Sequence, residues 1–115
     1  MPEDATPFAL MVRFTVRPGS EQAFDTLVAE TAAGIREREP GTLVYACHHV
    51  EGQPRQRIFY ELYRNRAAFD AHEASDHTRR FLDGRTALLE ATEVDFLRLA
   101  DGKTPLTPGP AGHDG

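Results

Sequence analysis

The sequence predicts an α+β protein of the ferredoxin-like class, βαββαβ around one antiparallel sheet. Apolar stretches of period two and period 3.6 alternate in that order, and Pro/Gly breaks separate several of them. The long first helix also has a single apolar stripe, as expected of a helix lying on one face of a sheet. A chain of 115 residues has room for one such domain and one core.

The first strand is "FALMVRFTVR", Phe8 to about Arg17, closed by the turn Pro18-Gly19. Phe8, Leu10, Val12, Phe14 and Val16 share one face, while Ala9, Met11, Arg13, Thr15 and Arg17 make the other, mixed one. Ser20 is placed to cap a helix over Glu21 to Arg38, whose stripe is Phe24, Leu27, Val28, Thr31 and Ile35. Pro40-Gly41 ends it.

The second strand is "TLVYACHHV", Thr42 to Val50, and the third "RIFYELYR", Arg57 to Arg64, with "EGQP" as the turn of a hairpin. Asn65 caps a short helix, "RAAFDAHEA", and Ser75 caps another, "DHTRRFLDGRTALLEA", with a possible break at Gly84. The last strand is "EVDFLRLA", Glu93 to Ala100. Residues 1–7 are then an N-terminal extension, 8–100 the domain, and 101–115 a Pro/Gly-rich tail expected to be mobile.

Net charge is −5 and no basic cluster exceeds two residues, which speaks against nucleic acid. No apolar run approaches the ~18–20 residues that span a bilayer, so no membrane partner is expected. The acidic start lacks the positive region of a signal peptide, and a lone cysteine cannot form an internal disulfide. The expected location is cytoplasmic. The second and third strands are apolar on both faces, and one short chain has no element left to cover the second face. A homodimer packed sheet to sheet is the expected solution.

The stretch "YACHHV" puts Cys47, His48 and His49 in a row. On a strand, successive side chains point to opposite faces, so the two histidines cannot bind one metal within their own chain. Cys47 shares a face with His49, about 6.5–7 Å away along the strand, but a zinc site normally needs three or four ligands. No metal is expected, and Cys47 reads as a small apolar residue. A histidine is the natural general base near neutral pH. Glu61, in the aromatic run "FYELY", needs a partner if buried; Arg13 on the neighbouring first strand is the candidate. His72 shares a helix face with Phe69 and reaches either a pocket or the helix C-terminus. His77 stands about 140° from it on an unbroken helix and reads as surface, as do Arg79 and Arg80. Asp76 is a local partner for His72, and His113 belongs to the tail. Tyr45, Tyr60 and Tyr63 are either core residues or hydrogen-bond donors to a ligand.

The segments "EPGTLVYACHH", "FYELYRNRAAFDAH" and "ASDHTRRF" resemble the antibiotic biosynthesis monooxygenase (ABM) domain family, of the dimeric α+β barrel superfamily, over residues 8 to 100. The resemblance implies a homodimer and, among family activities, cofactor-free oxidation of quinols or polyketide-like phenols by O2. Haem-degrading members carry a strand Asn, a Trp and an axial His; here Val12 and Leu82 stand near the Asn and His, and there is no Trp. Some phenol oxygenases use an Asn and a Trp on the third strand, where this chain has Phe59 and Tyr63. His48 and His72 fall where quinol-oxygenase-like members carry histidine. The residues and the resemblance together make His48, His72 and Glu61 the candidate catalytic residues, with Arg13, Tyr45, Phe59, Tyr63 and Phe69 around an aromatic substrate and no cofactor expected. The alternative is a non-catalytic homodimer of the same fold that binds or senses a small molecule.

Overall fold

A computed structural model describes residues 5–106. The elements run β1 (Phe8–Val16), α1 (Glu21–Arg38), β2 (Thr42–Val50), β3 (Gln53–Tyr63), α2 (Arg66–Ala74), α3 (Asp76–Arg85), a 3-10 turn (Thr86–Leu88) and β4 (Leu89–Leu97). The sheet has the order β2-β3-β1-β4, with each pair antiparallel. This is the ferredoxin-like α+β fold the alternation predicts. The mobility expected of the tail concerns residues that, beyond Leu106, lie outside those described.

One sheet face carries the core. Leu10, Val12, Phe14 and Val16 of β1 pack with Phe59 and Tyr63 of β3, Phe24 of α1, Phe81 of α3 and Leu89. Phe14 centres the aromatic contacts, 4.8 Å from Phe59 and 5.3 Å from Phe24 between ring centroids. The opposite face carries no helix. Ile58 and Tyr60 are half-buried there, and Met11 and Leu97 are exposed.

Four sequence expectations change. β3 starts at Gln53, because the two-residue turn Glu51-Gly52, with Gly52 at φ +78°, closes the hairpin at once. The register then jumps from Val50↔Gln53 to His49↔Arg57, so residues 54–56 bulge out of the ladder with β2. Arg57 satisfies that bulge by donating to Pro54 O and Gln56 O at 2.9 Å, and a bulge also tolerates Pro54 inside a strand. At the other end the α-helix does not run through "ALLEA": Ala87 and Leu88 form a 3-10 turn, and Leu89 is buried and pairs with Val16, so tertiary pairing overrides a good helix sequence. β4 accordingly ends at Leu97, not Ala100. Finally, Ser20 occupies the N-cap position of α1 without a side-chain capping bond.

Candidate functional site

Glu39 is the C-cap residue of α1, its backbone N–H bonded to Ile35 O at 3.0 Å. An acidic residue is disfavoured at that negative helix end, so its side chain needs other donors. It turns inward and is almost wholly buried. Thr42, at the start of β2, donates to Oε1 at 2.6 Å. His72, in the last turn of α2, places Nδ1 2.9 Å from Oε1 and 3.1 Å from Oε2. His77, in the first turn of α3, bonds Oε2 through Nε2.

Both histidines reach one carboxylate because the helix is broken between them. Ser75 sits at φ −71°, ψ 152°, ending α2 and capping α3 by accepting from Thr78 N–H at 3.3 Å. Its Oγ also lies 2.8 Å from His72 O and 3.1 Å from His77 Nε2. The separation of His72 and His77 expected on a continuous helix is therefore wrong, and so is the surface position for His77, which is 3% exposed. Asp76 is exposed rather than buried with His72.

On its other side His72 turns Nε2 toward Glu61, 4.0 Å from Oε1. Glu61 accepts a 2.5 Å hydrogen bond from Tyr63 Oη. The rings of Tyr63, Tyr45 and Phe69 surround the imidazole at centroid distances of 5.2, 5.7 and 6.4 Å. A continuous buried series results: Tyr63, Glu61, His72, Glu39, His77.

The two carboxyls at the ends of the His72 ring differ sharply. Burial alone would raise Glu39, but the hydrogen bonds from His72, Thr42 and His77, with the charge of His72, outweigh it and hold the carboxyl at about 2. Burial raises Glu61, and the bond from Tyr63 only partly opposes it. Burial, with the charge of Glu61, also raises the Tyr45 and Tyr63 phenols. A cleft of about 460 Å³ opens onto this network, lined by Glu39, Thr42, His72, Ser75 and His77 and walled by small residues of α2 such as Ala68 and Ala71. A second, of about 330 Å³, lies on the α1–β2 side of Glu39 and is lined by Tyr45.

The other sequence candidates lie elsewhere. His48 pairs with Ile58 on the uncovered face and is exposed, so it does not enter a helix–sheet pocket. His49, on the helix side, has Nε2 3.4 Å from Asp25. Arg13 pairs with Ile58, on the face opposite Glu61, and donates to Gln56 at 2.9 Å, so the expected Arg13–Glu61 pair does not exist. Phe59 is core, 1% exposed. Phe69 packs on Phe8 at 4.6 Å and on Tyr63 at 5.2 Å. His113 lies outside the described residues. Among the described residues no group of three or more His, Cys, Asp and Glu is arranged to hold a metal.

Glu39 and His77 are the residues that sequence reasoning missed. An acid at a helix C-terminus was the available signal for the first. For the second, the N-cap serine at position 75 already implied a helix break.

The family model described as antibiotic biosynthesis monooxygenase matches residues 7–84. The uncharacterized protein sll1783 of Synechocystis is 26% identical over 99 residues, covering 85% of this chain and 67% of that protein. The crystal structure of PA3566 from Pseudomonas aeruginosa superposes with a TM-score of 0.78 at 28% identity, covering 87% of this chain and all of the other. That of Rv0793 from Mycobacterium tuberculosis gives 0.80 at 26% identity, over 86% of this chain and all of the other.

Proposed function

The chain belongs to the antibiotic biosynthesis monooxygenase family, and we propose that it oxidises a quinol or polyketide-like hydroxylated aromatic with O2, with no bound cofactor. The observation that carries this reading is the Glu39–His72 dyad on the floor of a cleft, with tyrosine and phenylalanine rings around the imidazole. A carboxylate behind an imidazole orients it and stabilises the cation formed when it takes a proton.

In this reading His72 accepts the phenolic proton and the electron-rich anion then reduces O2. For an anthrone-type substrate the balance closes without another reductant. The ring CH2 becomes C=O, one oxygen atom stays in the product and the other leaves as water. Glu61 and Tyr63 bound the far side of His72. The reading includes a cytoplasmic homodimer joined through the outward sheet faces. Exposure of Met11 and Leu97 on that face supports the association. Among the described residues no helix is long and apolar enough to cross a membrane.

The test is O2 uptake in metal-free buffer with a panel of reduced quinols and anthrones. Protein-dependent consumption, reduced at least ~100-fold in His72→Gln, is expected; none with any substrate sinks the reading. The second reading is a non-catalytic binding or sensing dimer. It draws support from the near-complete burial of Glu39, whose oxygens are taken up by groups of its own chain. Thermal stabilisation by an aromatic ligand without turnover would select it.

A further inference from the structure

Glu39 meets its two histidines through chemically different atoms, Nδ1 of His72 and Nε2 of His77. A carboxylate that gathers donors from both rings and from Thr42 is ionised, and an ionised carboxylate only accepts. Each ring must therefore turn an N–H toward it. A second proton on either ring would meet no acceptor within hydrogen-bond distance. His77 Nδ1 is buried without a partner, and His72 Nε2 is 4.0 Å from Glu61.

We propose that Glu39 is a positioning residue that locks its two histidines in opposite tautomers, His72 as Nδ1–H and His77 as Nε2–H, so that the bare Nε2 of His72 is the site's proton acceptor. His77 is the counterpart that fixes Oε2, leaving the carboxylate no freedom to rotate away from His72. Its own bare nitrogen lies toward α1, where a β-carbon on Gly34 would come within 2.8 Å of Nδ1. The ring is thus held by α1 on one side and by Glu39 and Ser75 on the other. When a substrate hydroxyl reacts, its O–H bond breaks and the proton forms a bond to Nε2. The electron pair stays on the phenolate oxygen, and the positive ring rests against Glu39. The tautomer assignment is independent of the oxygenase reading; the role of Nε2 as acceptor rests on it.

The test is histidine ring 15N–1H correlation spectroscopy on the full chain at neutral pH, followed by kinetics of Glu39→Gln and Glu39→Asp. The expected spectrum has His72 protonated at Nδ1 and bare at Nε2, and His77 the reverse. In Glu39→Gln the single amide oxygen and the donating NH2 cannot serve two N–H groups, so one ring inverts its tautomer. There kcat falls at least ~100-fold with KM little changed, and Glu39→Asp, which keeps the charge, recovers part of it. Equal tautomers on the two rings overturn the proposal, as does a Glu39→Gln protein with both tautomers and kcat unchanged. If the tautomers are as stated but the wild type consumes no aromatic substrate, the assignment of Glu39 stands and the oxygenase reading falls.

Discussion

Gly34 of α1 and His77 of α3 approach so closely that a β-carbon on Gly34 would lie 2.6 Å from Cγ of the imidazole. That contact sets how deeply His77 enters the protein, and so whether it can reach Glu39. Gly34→Ala should favour the isolated helix yet destabilise the protein by about 1–3 kcal/mol through overpacking. Chemical denaturation measures it; an unchanged or raised midpoint would show that His77 moves aside without loss.

Glu39 couples the fold to acid. Its carboxyl is held at about 2 against an ordinary 4.5, so the folded state binds fewer protons than the unfolded state between those values. The stabilisation, about 3 kcal/mol, is complete above the unfolded value and is lost as pH falls through the folded one. Glu39→Gln should flatten the stability profile between pH 4.5 and 2. A profile as steep as the wild type's would place the acid sensitivity elsewhere.

Glu61 acts with the opposite sign. Burial raises its carboxyl from 4.5, so the folded state holds its proton longer than the unfolded one. Its contribution therefore weakens as pH rises from the ordinary carboxylate range through the raised folded value. Glu61→Gln keeps an acceptor for Tyr63 Oη and carries no charge, so it should be more stable than wild type at neutral pH and equal to it in acid. Thermal melts across pH test the crossing; a uniform loss at every pH contradicts it.

His48 and His72 should separate cleanly. His48 is exposed on the uncovered sheet face, and His48→Ala should shift stability by no more than ~0.5 kcal/mol while O2 uptake persists. His72→Gln should lose uptake with most of its stability intact. Equal losses in both variants would return His48 to the active machinery.

Cys47 should be inert. Burial, followed by the charge of Glu61, pushes its thiol from 9.0 to about 12. Its thiolate fraction at neutral pH is then roughly a thousandfold below that of a free cysteine. Alkylation by iodoacetamide should be correspondingly slow in the native protein and fast once it is unfolded.

Sequence periodicity alone determined the βαββαβ order, the bounds of α1, β2 and α2, and the face of β1 that enters the core. These are local properties: a stripe or an alternation is written in consecutive residues, and Asn65 and Ser75 cap their helices through side chains of their own segments. The ends of β3 and β4 were not legible in this way. A bulge and an edge pairing are settled by the neighbouring strand, as Val16↔Leu89 shows. The site divides along the same line. His72 and Glu61 stand out by residue type, but the face each one uses depends on strand register, which put Arg13 and Glu61 on opposite sides of the sheet. Only the tertiary structure brings the end of α1, the start of β2 and the α2–α3 break to a single carboxylate. Glu39 is 33 residues from His72 and 38 from His77, and no pattern within any one segment records a convergence made by packing.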